Sequence, residues 1–559
     1  GVRYNRGDLI YPARSKADVD VDDLMPAAVV ADKASGESKI HAYSSLAEAV
    51  AAAQDGQTVT LLADATEDVA ISKNITLDLG GKTLTNTNAG KATLTIAKGA
   101  TATVKNGNVI GGTGYYTIDN YGTATLEDVT ATAGNTDSSM IRNDGTLTIE
   151  SGSYSGGLNV VKSEEDSTLT INGGKFELSY ATSQGYTGVI YTYGNATITG
   201  GEFICSAAYL KWAHPQCVAT GMVEGHPSST KITGGTFTNT FTDTVQNIFH
   251  GVGKATSDNF EVSGGTFNKE VSEGYCADGF IPTKNADGTY GVKEGYYVAQ
   301  IGSTKYETLA DAIRLAAKGK TIQLLNDTTE NITIAATKQI TLDLNGYTLD
   351  GGTGNTNATI LNEGTLTITD TSAGKTGTIK RDDQGVAGET SYYVIHNLGA
   401  MVIDQANVVN NSGIKGSSLV CNGGETTTAS LTINGGTFEQ QNFIAFKNDS
   451  NGELTINGGT LTSKQSAVQN WNKAQILGGN LTGIIWTDSW TEAGTVGETV
   501  IGGNAQFTGT IYMDVTSSNP STLKIEGGSL DVTKWTVTSA AAAADATIAI
   551  SGGTFTAVV

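Results

Sequence analysis

One phrase limits this chain more than any other. An apolar residue, a spacer, two glycines, a spacer and another apolar residue return in the same register along most of its length. The copies include TINGGKF at Thr170–Phe176, TITGGEF at Thr197–Phe203, KITGGTF at Lys231–Phe237 and EVSGGTF at Glu261–Phe267. Later copies are TINGGTF at Thr432–Phe438, TINGGTL at Thr455–Leu461, KIEGGSL at Lys524–Leu530 and AISGGTF at Ala549–Phe555. Successive copies start roughly 20 to 34 residues apart, the period of a solenoid built from stacked coils. Two residues before the first glycine stand Ile171, Ile198, Ile232, Val262, Ile433, Ile456, Ile476, Val500, Ile525 and Ile550, all β-branched. Two after the second stand Phe176, Phe203, Phe237, Phe267, Phe438, Leu461, Leu481, Ala505, Leu530 and Phe555. The alternation predicts that both sets face inward and stack coil on coil, with Thr, Asn, Lys and Glu pointing out. The expected fold is all-β, a right-handed parallel β-helix, since one coil cannot bury its own apolar face without neighbours.

The phrase is carried by a tandem duplication. YSSLAEAVAAAQDGQTVTLLAD from Tyr43 matches YETLADAIRLAAKGKTIQLLND from Tyr306, and ITLDLGGKTL (Ile75–Leu84) matches ITLDLNGYTL (Ile340–Leu349). Each copy opens with a short amphipathic helix. Ser45 and Glu48, like Thr308 and Asp311, have capping-box spacing, and Gly56 and Gly319 supply the stops. These helices are expected to cap the first coil of each module. The organisation read from the sequence is a non-repeat arm at 1–40, a first β-helix module with a closing segment at 41–292, and a second module at 293–559. That second module stops at SGGTFTAVV without the closing segment, so its C-terminal end is expected to be uncapped.

The formal net charge of −22 excludes a nucleic-acid partner, because a phosphate backbone needs clustered Lys and Arg. No apolar run approaches the about 18 residues of a membrane span, so direct membrane insertion is not expected. The opening helix Y-x-x-L-A-(E/D)-A, the T-x-x-G-G-T-F coils and the YCADGF…NADGTY closing segment (Tyr275–Tyr290) are similar to those of the β-helix adhesin-like proteins of Gram-positive gut bacteria. The resemblance implies a pectate-lyase-like β-helix, placement outside the cell or at its surface, and a structural or adhesive role.

Chemistry is harder to read. Asn135-Thr136-Asp137 and His250-Gly251 match pieces of a polysaccharide-cleaving pattern, but the remaining carboxylates are missing, and the context of Asp137 is that of a turn. Arg142 and Arg314 have no acidic cluster nearby in the sequence. The chain is therefore expected not to be an enzyme, with no catalytic, cofactor-binding or metal-ligating residues and no cofactor; a polysaccharide-binding or polysaccharide-cleaving β-helix is the alternative. Cys205 and Cys217 flank an irregular stretch and suit a local disulfide rather than a zinc site with His214 and His226. Aromatic residues are the binding candidates: Trp471, Trp486 and Trp490 in one stretch, and Tyr191, Tyr193 and Trp212 in another. Asn172, Asn434 and Asn457 are expected to form ladders beside the glycines. The expected partners are surface glycans or proteins, and further copies of the chain joined head to tail. The ends that would meet are Val2, Tyr4, Leu9, Ile10 and Tyr11 at one side and Phe555, Val558 and Val559 at the other.

Overall fold

The computed structural model describes residues 9–10, 26–31, 40–179, 187–206, 215–240, 248–253, 255–353, 356–381, 393–410, 418–440, 443–490, 495–515, 521–539 and 547–556. The chain forms two compact units, Gly1–Gly295 and Tyr296–Val559. Each is a right-handed parallel β-helix. One coil of the first unit runs through Thr168–Ile171, Lys175–Leu178 and Gly188–Thr192. The next runs through Asn195–Ile198, Glu202–Cys205 and Gln216–Met222, and all three strands pair in parallel with those before them.

The two glycines of the repeated phrase serve different needs. At Gly200 a side chain has no room, since a Cβ would lie 2.4 Å from the Asn172 carbonyl oxygen of the preceding coil. At Gly201 the backbone takes φ +103°, which L side chains rarely adopt. The pair therefore turns a tight corner while the coils stay close. Between corners the apolar positions stack as alternation requires. Ile149, Ile171, Ile198, Ile232 and Val262 form one buried row. Tyr154, Phe176, Phe203, Phe237 and Phe267 form another, with ring centroids 4.7 to 5.0 Å apart and near-parallel planes. One coil departs from the expected register. Ile501, not Val500, pairs with Ile476 and Ile525, and Phe507, not Ala505, pairs with Leu481 and Leu530. The strand Glu498–Ile501 runs up to Gly502, so its last residue takes the inward place, and the longer turn before Gln506 moves the following strand along.

The opening helices α1 (Leu46–Ala52) and α2 (Leu309–Leu315) bury Leu46, Ala49 and Val50, and Leu309, Ala312 and Ile313, in the cores of their units. Each is held at both ends by the coil beneath. Glu67 accepts hydrogen bonds from the free Leu46 and Ala47 amides of α1 at 2.9 and 2.8 Å. Lys73 donates to the Ala51 and Ala53 carbonyls at 2.7 and 2.6 Å. Glu330 and Lys338 repeat this on α2 at 2.8 to 2.9 Å. An anion at the helix start and a cation at its end both complement the helix dipole. In the first unit the hairpin Phe280–Lys284/Tyr290–Glu294 meets the last phrase strand, where Tyr290 pairs with Phe267.

The deepest polar feature is a ladder of asparagines at a second corner. In the second unit Asn362 donates from Nδ2 to Oδ1 of Asn397 at 2.7 Å, and the contact repeats at 2.8 Å through Asn422, Asn448 and Asn470. Each of the five also donates to a backbone carbonyl of a neighbouring coil, and all are essentially inaccessible to solvent. The first unit has a shorter version, Asn120 to Asn143 to Ser163, with both contacts at 2.8 Å. Asn434 and Asn457 form the expected contact by the glycines, at 2.9 Å, while Asn172 bonds Glu150 instead. A break in the buried ladder leaves amide groups unpaired away from water. Asn422→Leu is expected to cost about 1–3 kcal/mol, read as a lower urea midpoint of the second unit's unfolding in the full chain. An unchanged midpoint would show that the ladder is not coupled to stability.

Candidate functional site

The ladder asparagines end three-residue strands of the form apolar–x–Asn: Ile118–Asn120, Ile141–Asn143, Ile395–Asn397, Val420–Asn422 and Phe446–Asn448. The outer two residues of each face the core, so the middle residue faces out. The residue just past the Asn also faces out, because its amide continues the ladder of parallel hydrogen bonds. Two straight outward rows result on one sheet of each unit.

In the first unit the sheet runs Val69–Ile71, Leu94–Ile96, Ile118–Asn120, Ile141–Asn143, Val161–Ser163, Gly188–Thr192, Gln216–Met222 and Phe249–Gly253. Register pairing sets Thr95, Asp119, Arg142, Lys162, Tyr191 and Ala219 in its first row, while the His250 side chain lies outside the described residues. Tyr121, Asp144, Glu164 and Tyr193 follow in the second. Arg142 makes a two-pronged ion pair with Asp119 at 2.9 and 3.2 Å, also donates to the Tyr121 hydroxyl, and lies 5.1 and 4.6 Å from the Tyr116 and Tyr121 ring centroids. Burial opposes the Arg142 charge, and the Asp119 carboxylate more than offsets it, so the guanidinium is held above its ordinary value. Burial raises the Asp119 carboxyl, with Arg142 pulling it back. One coil on, Lys162 pairs with Glu164 at 3.0 Å and lies 5.8 Å from the Tyr193 ring centroid. The Tyr191 and Tyr193 hydroxyls share a 2.8 Å hydrogen bond.

The second unit sets His396, Cys421, Lys447, Gln469, Trp486 and Tyr512 in the first row. Asp449, Trp471 and Asp488 follow in the second, with Asp514 paired beyond the same edge. Lys447 contacts Asp449 at 3.0 Å and lies 5.3 Å from the Trp471 ring centroid. Burial works against its charge, but the facing Cys421, Tyr393 and Asp449 groups outweigh it, so the ammonium is pushed up to about 12. Trp471 donates from Nε1 to Asp488 Oδ2 at 2.9 Å, and the Ser489 amide donates to Oδ1 at 2.7 Å. Burial raises the Asp488 carboxyl and the Asp514 charge adds to it, against the pull of those two donors, leaving it at about 6. Burial lowers His396. Trp486 and Tyr512 pack edge to face with centroids 4.9 Å apart. A groove of about 280 Å³ elsewhere in this unit offers less, since its Asp350–Lys380 pair is closed at 3.3 Å and its Asp327 already caps the Thr348 amide at 2.7 Å.

The structure thus brings Tyr191 with Tyr193, and Trp471 with Trp486, onto outward rows. Trp490 lies in a short antiparallel pair with Thr495, while its side chain and all of Trp212 lie outside the described residues. Arg142 has an acidic partner after all, 23 residues back in sequence, and Arg314 pairs with Asp311 at 2.7 Å within α2. Cys205 and Cys217 are fully buried, and the disulfide between them is not formed. The Cys217 thiol faces the Phe203 carbonyl at 3.8 Å. Burial, then the neighbouring Cys205, pushes its titration up. His226 pairs with Asp166 at 2.7 Å; His214 lies outside the described residues. The Asp137 amide donates to Asn135 Oδ1 in a turn, as its context predicts. Of the expected assembly ends, Leu9 and Ile10 pair in parallel with Ile40 and His41 of their own chain, and Phe555 packs against the core of its unit. Val2, Tyr4, Tyr11, Val558 and Val559 lie outside the described residues. Asp119, Lys162, Glu164, Lys447, Asp449, Asp488 and Tyr512 were missed by sequence reasoning.

Among the described residues no helix is long and apolar enough to cross a membrane. No protein-family model matches the chain, and no curated protein does. Among solved structures it is similar to a mutant of a PL6 family alginate lyase, with 11% identity over 91% of this chain and 98% of that one, at a TM-score of 0.30. The neighbour is an alginate lyase by its description, and the expectation that this chain is not an enzyme is withdrawn.

Asp488 yields a test. Its folded carboxyl, at about 6, lies above the ordinary 3.8, so its contribution to stability is fully present below about pH 4 and is lost as the pH rises through about 6. Asp488→Asn, which carries no charge, is expected to gain on the wild type between about pH 4 and pH 7 by on the order of 2 kcal/mol, after allowing for screening at its exposed edge. Urea midpoints of both chains across that range check it. A constant gap would mean that the carboxyl titrates normally.

Proposed function

We propose that this chain is an extracellular β-helix protein that binds a neutral polysaccharide across the outward face of the second unit and hydrolyses it there. The observation that carries the reading is the Trp471 indole, flanked by the Lys447–Asp449 pair and hydrogen-bonded to Asp488. An aromatic face stacks on the apolar side of a sugar ring, and charged groups at its rim bond the hydroxyls. Lys447 and Asp449 cancel, and the chain as a whole is strongly acidic, so a neutral glycan fits better than an anionic one. Retention on glycans of a bacterial or host surface is the adhesive face of the same reading.

Asp488 suits the acid of such a reaction. Its carboxyl holds its proton up to about pH 6, and it sits beside Trp471, with Asp514 on the adjacent strand, about 4.8 Å across, just past the Thr487–Met513 pair. Asp488 gives its proton to the glycosidic oxygen as the bond to the anomeric carbon breaks. Asp514 bonds to that carbon in the same step; water, giving its proton to the Asp488 carboxylate, then displaces Asp514 and leaves the sugar hydroxyl, as in carboxylate-pair hydrolysis at about 5 Å. The experiment is reducing-sugar release from β-glucan, xylan and mannan. Asp488→Asn is expected to lose about 100-fold or more of the cleavage rate while still binding. Trp471→Ala is expected to lose binding at the second unit. Undiminished cleavage by Asp488→Asn would end the assignment of the acid.

A further inference from the structure

The surroundings of Lys447 occur twice. Counting strands from the start of each outward sheet, Lys162 and Lys447 both stand on the fifth, in the first row. Each pairs at 3.0 Å with an acid two residues on, Glu164 or Asp449. Each has its ammonium near an aromatic ring of the sixth strand's second row, Tyr193 at 5.8 Å or Trp471 at 5.3 Å. Neighbouring positions differ freely: Arg142 stands where the second unit has Cys421, Tyr191 where it has Gln469, and Ala219 where it has Trp486. The duplication alone does not account for a shared lysine, acid and ring amid such changes.

One difference bears on chemistry. The place of Asp488, second row of the seventh strand, is Gly221 in the first unit, and a Cβ there would lie 2.4 Å from the Tyr193 ring. The ring occupies the space that the acid fills in the other unit. We infer that the first unit carries a second glycan subsite, with Tyr193 as platform and Lys162 and Glu164 as hydroxyl partners, which holds the same class of neutral sugar chain without cleaving it. This rests on the sugar-binding reading of the second unit.

The test is calorimetric titration of the full chain carrying Asp488→Asn, so that nothing is cleaved, with cellohexaose, xylohexaose and mannohexaose in turn. Two equivalents bound per chain are expected for the sugar that fits. Adding Tyr193→Ala should leave one equivalent, adding Trp471→Ala should leave the other, and adding both should leave none. Tyr193→Phe, which keeps the ring, should retain two, and Lys162→Ala should weaken one of them about tenfold. A single equivalent that Trp471→Ala abolishes and Tyr193→Ala leaves intact would overturn this inference while the reading of the second unit stands. No saturable binding of any of the three sugars would overturn both.

Discussion

The buried asparagine ladder is the constraint on which the rest of the structure depends. A β-helix coil has few ways to fix where it bends, because parallel strand pairing alone tolerates sliding. Each ladder carboxamide bonds the coil after it and a backbone carbonyl across the corner, so every coil must bend at the same residue. A slipped coil would leave a primary amide unpaired in a dry interior, a cost that no surface contact would offset. With the corner fixed, the residues on either side of each Asn are forced into two straight outward rows. Side chains some 17 to 35 residues apart in sequence thereby come within one strand spacing.

That alignment explains the electrostatics of both rows. A charged group in a row is covered on two sides by its neighbours in adjacent coils, so it is desolvated without being in the core. Such a place needs a partner, and partners come from an adjacent coil or from two residues on: Asp119 for Arg142, Glu164 for Lys162, Asp449 for Lys447. Among the described residues Asp488 has no cation partner. Its donors are an indole and one amide, which hold a carboxylate less well than an ammonium does, and Asp514 adds a like charge. Burial and that like charge leave its carboxyl at about 6.

The fold was legible because a solenoid repeats its structural residues. Ile198, Gly200, Gly201 and Phe203 recur since every coil must fill the same core and turn the same corner. The rows were not legible for the converse reason. Arg142, Lys162 and Asp488 face outward, where the coil sets no requirement, so nothing about them repeats within a unit. A signal was nonetheless present: IDN, IRN, ILN, IHN, VCN, FKN and VQN mark each asparagine strand of the ladders, and the middle letter reads out the row. Arg142 looked isolated because proximity was judged along the chain, whereas its partner lies one coil back. The slip at Ile501 and Phe507 has a related cause, since the glycine pair was taken as a fixed ruler and the turn between Gly502 and Gln506 is longer than in other coils.

The acid lies where the ladder ends. At the seventh strand of the second unit Thr487 replaces the asparagine, and its hydroxyl reaches Thr499 at 2.7 Å, the residue that also receives Asn470 at 3.0 Å. A threonine cannot bridge to the next coil as a carboxamide does, so the chain beyond Thr487 needs other support. Ser489 supplies it, bonding Ser521 at 2.6 Å through its hydroxyl and Asp488 through its amide. Asp488 is thus held by a turn of its own rather than by the repeating corner. Within the ladder, an asparagine and its two flanking outward residues form one register that admits little local change. Past its end the backbone is free to adopt a turn that directs a serine amide at a carboxyl, and a position that repeats nothing can be shaped for a single task.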